Sequence, residues 1–161
     1  MVRRAAVLAR AACEDNTLLV VGHDQQRVVA AAEGECQFIA INENFADGLG
    51  SSIACAARSL APSADALLIL LADQPKINEP HLNALLGAWS GDSDEIVATS
   101  FAGVQGPPVL LPGSSFPQLL ELSGDAGARK LLQHPDFRVT SVKFEQAAVD
   151  IDLPEDLNQI T

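Results

Sequence analysis

The sequence contains no tyrosine, one tryptophan and one methionine, and aromatic residues make up only 4% of its 161 positions. Alanine, leucine and valine must therefore fill the interior, as they do where helices pack closely on a sheet. Cations are scarce too. Ten Lys and Arg stand against 21 Asp and Glu, for a formal net charge of -11. A nucleic-acid surface needs a basic face to release counterions, so that class is excluded. A small anionic ligand, held by a few cations or a metal, is not. The three cysteines, Cys13, Cys36 and Cys55, include no C-x-x-C pair. That reads as a reducing compartment with buried or incidental thiols, and offers no structural zinc site. No apolar run approaches the roughly 20 residues that span a bilayer. Near the start, Arg10 interrupts the apolar stretch before it reaches the roughly 7–15 residues of a secretory signal. The expectation is a cytoplasmic protein with no membrane partner. No phosphate-binding G-x-G-x-x-G or G-x-x-x-x-G-K-[ST] occurs, and neither does H-E-x-x-H or G-x-S-x-G.

What is present is apolar and periodic. Hydrophobic residues reach 48%, enough to build one core, and the length fits a single domain over residues 1–161. Helical spacing marks residues 2–13, 24–34, 48–61, 78–90, 115–122, 126–134 and 154–161. Strands are expected at 17–22, 36–42, 66–74, 95–101, 137–144 and 147–153, with a short extended piece at 107–112. Helices alternate with strands, and the inner strands are apolar on both faces. The pattern predicts an α/β fold with a mainly parallel sheet covered on both sides.

Four stretches carry candidate chemistry. "LLILLADQP" (67–75) ends a buried run on Asp73. In open parallel sheets ligands bind outside the carboxyl ends of strands, so Asp73 would stand at the mouth of a site, and Pro75 turns the chain away. Asp73 can equally cap the turn that follows. "AVDIDLPEDL" (148–157) supplies Asp150 and Asp152, expected on one face of a strand. Their mutual repulsion would be relieved by a divalent cation, and Mg²⁺ suits carboxylates combined with substrate phosphates. Glu155 and Asp156 belong to the first turn of a helix, where the dipole favours them.

In "NENFADGLGSSI" (42–53), Asn42 ends a strand and Gly48 and Gly50 allow close backbone approach to a ligand. Ser51 and Ser52 stand at a helix start that can hold a base, sugar or phosphate, or can simply be capped. In "SGDAGARKLL" (123–132), Asp125 can cap a helix and Gly127 loosens its first turn. Arg129 sits where the dipole disfavours a cation, which an anionic ligand or a pairing with Asp125 would explain. The histidines form no ligand set. His23, His81 and His134 are each expected at the surface or in a cap.

In this order, and together with "GPPVLLP" (106–112) and "FPQLLELSGDAGAR" (116–129), these stretches resemble the molybdenum cofactor cytidylyltransferase branch of the MobA-like nucleotidyltransferases. The resemblance implies a Rossmann-like fold of the nucleotide-diphospho-sugar transferase type. It implies Mg²⁺-dependent transfer of a cytidylyl group from CTP to the molybdopterin form of the molybdenum cofactor, releasing pyrophosphate. It would make Asp73 and Asp152 the catalytic metal ligands, with Asp150 beside them. Asn42, Gly48, Gly50, Ser51 and Ser52 would lie against the nucleotide. Gly124, Asp125, Gly127 and Arg129 would lie on the acceptor side.

The chain departs from that pattern twice. Pro107 stands where the family commonly has a polar residue. The family's opening strand and glycine-rich loop, with their arginine and lysine, precede the helix in which this sequence starts. An interrupted sheet and impaired activity are the corresponding expectations. Two alternatives accompany the resemblance. One is a non-catalytic remnant that binds cofactor or a partner, such as a molybdoenzyme receiving the product. The other is a family member that uses another nucleotide, GTP included, or another acceptor.

Overall fold

Side chains along the central strands alternate between two apolar layers, as a period of two requires. Ile96, Ala98, Val109, Leu111 and Leu67 enter one buried cluster with Ile53, Ala57, Phe116 and Leu119. Val97 and Leu110 point the other way, into a second cluster with Ile77, Leu82 and Leu85. A sheet apolar on both faces must be covered on both, and it is.

The computed structural model describes residues 1–14, 16–60, 64–125 and 127–151. The elements are α1 (Val2–Cys13), β1 (Leu18–Val21), α2 (Gln25–Ala31), β2 (Phe38–Ile41), α3 (Leu49–Leu60), β3 (Ala66–Ile69), α4 (Glu79–Ala88), β4 (Glu95–Phe101), β5 (Val104–Pro112), α5 (Phe116–Leu120), α6 (Arg129–Leu132) and β6 (Arg138–Lys143). The helix expected at 154–161 lies outside the described residues. None of the described helices is long and apolar enough to cross a membrane.

The strands form two sheets rather than one. β1 and β2 make a parallel pair, and the other four are ordered β3-β5-β4-β6. Within the larger sheet β4 and β6 are parallel, while β5 runs antiparallel to both β3 and β4. Three of its strands therefore share one direction, and β5 alone opposes them. Helices α3, α5 and α6 cover one face, and α1 and α4 cover the other.

Three expectations need correction. The short piece at 107–112 is the nine-residue strand β5, inserted between β3 and β4. The strand expected at 66–74 stops at Ile69, opposite Val109. Its next partners would be Pro108 and Pro107, which have no N–H to extend the ladder. The strand expected at 147–153 does not form over its described part. Glu145–Ala148 is a 3-10 turn, and Val149 to Ile151 carry no ladder. Asp150 therefore does not stand on a strand face.

His81 also differs from its expected surface position. It is 4% exposed and stacks on Phe144 at 4.3 Å. Its Nε2 lies 2.8 Å from Thr99 Oγ1, whose hydroxyl donates to Pro108 O at 2.7 Å. A hydroxyl has one proton to give, so Nε2 carries the proton shared with Thr99. Burial lowers the His81 pKa from its usual 6.5. The fold therefore favours neutral imidazole, and the unfolded chain binds more protons than the native one as pH falls through 6.5. Stability should be full above that value and decline as the pH is lowered from about 7 toward about 5, before carboxylates titrate. Denaturant unfolding across that range should show the slope in the parent and a flatter one in His81→Gln. An identical slope in both would remove His81 as its source.

Candidate functional site

The carboxyl end of β3 leads into Leu70, Leu71, Ala72 and then Asp73. Asp73 is half-buried, and its Oδ1 is shielded from solvent. Next to it, Gln74 is 4% exposed. The Gln74 Nε2 donates to Pro107 O at 3.2 Å and to Ala147 O at 3.1 Å. One amide thus joins the turn after β3 to β5 and to the segment after β6. The Ile151 amide then donates to Asp73 O at 2.9 Å. Residues far apart in sequence are fastened backbone to backbone, and Asp150 follows the chain to the same place with its side chain exposed. Asp152 lies outside the described residues.

The loop after β2 is held mainly by itself. Asn42 is buried, and its Nδ2 donates to Ser51 Oγ at 2.8 Å and to Ser52 Oγ at 3.1 Å. Its Oδ1 accepts from the Asn44 amide at 3.0 Å. The Ser51 hydroxyl has Asn44 O and Gly48 O as acceptors, each at 2.8 Å. Asn42 and Ser51 are thus occupied by the chain. Ser52 receives from Asn42 and, among the described residues, its own hydroxyl proton has no acceptor.

The glycines here make contact with protein. The Gly50 amide donates to Gly124 O at 2.8 Å, and the Gly124 amide donates to Asp47 O at 2.7 Å. A Cβ at Gly48 would come within 2.4 Å of Asp125 Oδ1, and one at Gly50 within 2.8 Å of Ser123 N. Gly48 also has φ +85°, which only glycine adopts without strain. Gly127 at φ +52° lies against Leu49 and Ile53. The stretch expected on the nucleotide and the stretch expected on the acceptor are therefore docked on each other, through Gly48, Gly50, Gly124 and Asp125. Asp125 does not cap α6, whose N-cap position is Ala128.

Arg129 parts company with that junction. It lines an open cleft of ≈ 650 Å³ bounded by the β4–β5 hairpin, α6 and the end of β6, together with Lys143 and Glu145. Nothing in the sequence marked Lys143, because its neighbourhood depends on β6 lying beside β4. The role of Gln74 was equally hidden. A glutamine after an aspartate reads as a turn residue until both of its carbonyl partners are known.

Divalent cations of the Mg²⁺ type take oxygen ligands. Asp73 and Asp150 offer hard carboxylate oxygens, and the Ile151 amide brings their segments together, so the donor chemistry fits such an ion. Among the described residues alone no group of three or more His, Cys, Asp or Glu is gathered for a metal.

Residues 1–141 match the MobA-like NTP transferase domain, and the chain belongs to that family. The purine catabolism protein PucB of Bacillus subtilis is 34% identical over 117 residues, a span of 70% of this chain and 56% of PucB. The chain thus matches little more than half the length of that relative. The nicotine blue oxidoreductase of Paenarthrobacter nicotinovorans is 27% identical over 155 residues, covering 89% of this chain and 74% of that protein. Solved structures share the fold. A nucleotidyl transferase from Methanothermobacter superposes with a TM-score of 0.81 at 21% identity, over 99% of this chain and 78% of that one. A manganese complex of a Mycobacterium tuberculosis protein gives 0.77 at 22% identity, over 99% and 85%. The molybdopterin-guanine dinucleotide biosynthesis protein A of Archaeoglobus fulgidus gives 0.59 at 16% identity, over 88% and 75%.

The bracing by Gln74 is testable without any ligand. Gln74→Leu removes the donor from two carbonyls, which should cost about 1–3 kcal/mol of unfolding free energy. It should also speed hydrogen exchange at the Ile151 amide, which the brace holds against Asp73. Unchanged stability together with unchanged exchange at Ile151 would show that Gln74 does not hold this edge.

Proposed function

We propose that this MobA-like family member is a divalent-metal-dependent nucleotidyltransferase, with CTP as donor and the molybdopterin form of the molybdenum cofactor as acceptor. The observation that supports it best is the fastening of Ile151 onto Asp73, which brings the two acid-bearing segments to one sheet edge. Asp73, Asp150 and Asp152 are the proposed metal ligands, with Asp73 and Asp152 the catalytic pair. When bound, Mg²⁺ supplies charge neutralisation between triphosphate and acceptor.

In this reading an oxygen of the acceptor phosphate attacks the α-phosphorus of CTP. The bond to the β-phosphate oxygen breaks, and pyrophosphate leaves with the electron pair. Both reactants are anions, so catalysis is mostly alignment and electrostatics, and no side-chain nucleophile is required. The loop at 42–52 takes the nucleotide. Asn42 and Ser51 hold the loop's shape, Gly48 and Gly50 press it onto residues 123–125, and Ser52 presents its hydroxyl to the ligand. Gly124, Asp125 and Gly127 thereby couple the nucleotide loop to the acceptor side, where Arg129 is the proposed cation.

The relatives named for purine catabolism and for nicotine blue support a second reading with the same chemistry and a different nucleotide or acceptor. A third, a cofactor carrier without transfer activity, predicts molybdopterin binding and indifference to CTP. Calorimetry on the full chain separates them. The first reading expects CTP binding that needs Mg²⁺, with GTP weaker. Asp73→Asn should weaken it at least about tenfold, the loss that even outer partners of a metal site produce. The fold of Asp73→Asn should stay intact by circular dichroism. Equal CTP affinity in parent and variant would take Asp73 out of the site, and binding indifferent to Mg²⁺ would end the metal-dependent reading.

A further inference from the structure

Among the described residues β2 pairs with β1 alone, so the whole of its other edge is open. The Phe38 amide donates to Thr17 O at 3.0 Å, and the Asn42 amide donates to Val21 O at 2.7 Å. Backbone groups alternate in direction along a strand. Residues 38, 40 and 42 therefore turn toward β1, and residues 39 and 41 turn outward. The Ile39 and Ile41 amides stand on the open edge. The Ile41 carbonyl has the Cys55 thiol, a weak donor, at 3.7 Å, and a carbonyl can accept twice.

Open edges are commonly blunted by a charge, a proline or a bulge. This one carries none of them. The strand is Phe38, Ile39, Ala40 and Ile41, and residues 36–42 hold no Asp, Glu, Lys or Arg in a chain of net charge -11. Phe38 and Ile39 are 50% exposed and Ile41 is 58% exposed. Two molecules this acidic repel each other over most of their surface. A charge-free apolar edge is a place where they can meet.

We propose that β2 pairs antiparallel with β2 of a second copy of the chain, across a two-fold axis. The outward groups fix the register. Matching both outward residues of one strand with both of the other puts Ile39 opposite Ile41 of the second copy, with the axis at Ala40. Ala40 then meets its own counterpart at the closest approach of the two backbones, about 4.5 Å between Cα atoms, where a methyl group fits. Ile39 and Ile41 share a face, so the two copies gather four isoleucines into cross-strand pairs. Beyond the strands the same register brings exposed Glu43 opposite Gln37 of the second copy. That places it toward Arg3 and Arg10, which hold Glu35 at 3.3 Å and 3.7 Å. The contact is small beside the roughly 1,200–2,000 Å² of a stable interface. The dimer is accordingly weak and reversible, with a dissociation constant on the order of 100 μM. The claim is independent of nucleotide transfer.

Sedimentation equilibrium of the full chain, from about 10 μM to about 1 mM, brackets that constant and should show monomer passing into dimer. Ile39→Lys places a charge on the open edge at an exposed position. It should keep its circular dichroism and stay monomeric over the same range. Amide exchange in the parent reads the register without any substitution. Exchange at Ile39 and Ile41 should slow about threefold between about 50 μM and about 1 mM, as mass action requires. Ala40, already turned toward β1, should not change. A parent that is monomeric at the highest concentration would overturn the proposal. So would a dimer that survives Ile39→Lys, or one that forms without slowing exchange at Ile39 and Ile41.

Discussion

Two prolines that cannot donate a hydrogen bond shape this molecule. Pro107 and Pro108 interrupt β5, and the ladder on each side answers. β3 stops pairing at Ile69, and the partner of β4 jumps from Val109 at Ala98 to Gly106 at Thr99. Their carbonyls still need donors in a buried setting. Side chains supply them, Gln74 to Pro107 and Thr99 to Pro108. Each donor reaches further. Gln74 also holds Ala147, and Thr99 is backed by His81 on its Phe144 stack. A lack of N–H groups in one strand thus becomes the reason that three other segments converge on the carboxyl edge.

That convergence assembles the candidate site from parts that do not touch in sequence. The turn after β3 and the segment after β6 meet through Ile151 and Asp73, while the loop after β2 and the residues before α6 meet through Gly50 and Gly124. The second junction needs glycine because backbone lies against backbone, with less than 3 Å available where a Cβ would sit at Gly48 or Gly50. Ligand approach and self-docking make the same demand on a residue. The sequence pattern that suggests a cradle therefore also builds the cradle's wall.

Much of the fold was legible. β4 is bounded at 95–101 as its pattern predicts, and α1, α3 and α4 follow their apolar spacing. Asn78 caps α4 by accepting the His81 amide at 3.0 Å, with Pro80 in the first turn. Long periodic segments carry their own signal. What stayed hidden was set by partners. The length of β5 depends on having β3 and β4 on its two sides. The loss of a strand at 147–151 depends on Gln74 taking the Ala147 carbonyl. Burial of His81 depends on Thr99 waiting across the core. For the candidate site, the fold joins stretches that the sequence singled out, 67–75 with the segment ending at Ile151 and 42–53 with residues 123–125. The sequence did not show that Gly124 and Asp125 face the loop at 47–50 while Arg129, a few residues on, lines a separate cleft.

A comparison of two carboxylates shows why position must be weighed with chemistry. Glu95 is 4% exposed, and its pKa is held down to about 2. The Ser90 hydroxyl at 2.5 Å contributes most, then Thr140 at 2.6 Å and the Ser90 amide at 2.7 Å, with Arg138 farther away at 3.8 Å. On perturbation alone Glu95 would be the first candidate for function. Yet it begins β4, at the amino edge of the sheet, and both of its oxygens are taken up by protein donors that match an ionised carboxylate. Its charge is spent on fixing the β4–β6 edge. Asp73 stands beyond a strand's other end, where the parallel architecture opens toward ligands and where a second acid-bearing segment is fastened beside it. The sheet's direction, more than the depth of any pKa shift, separates a structural acid from a candidate catalytic one.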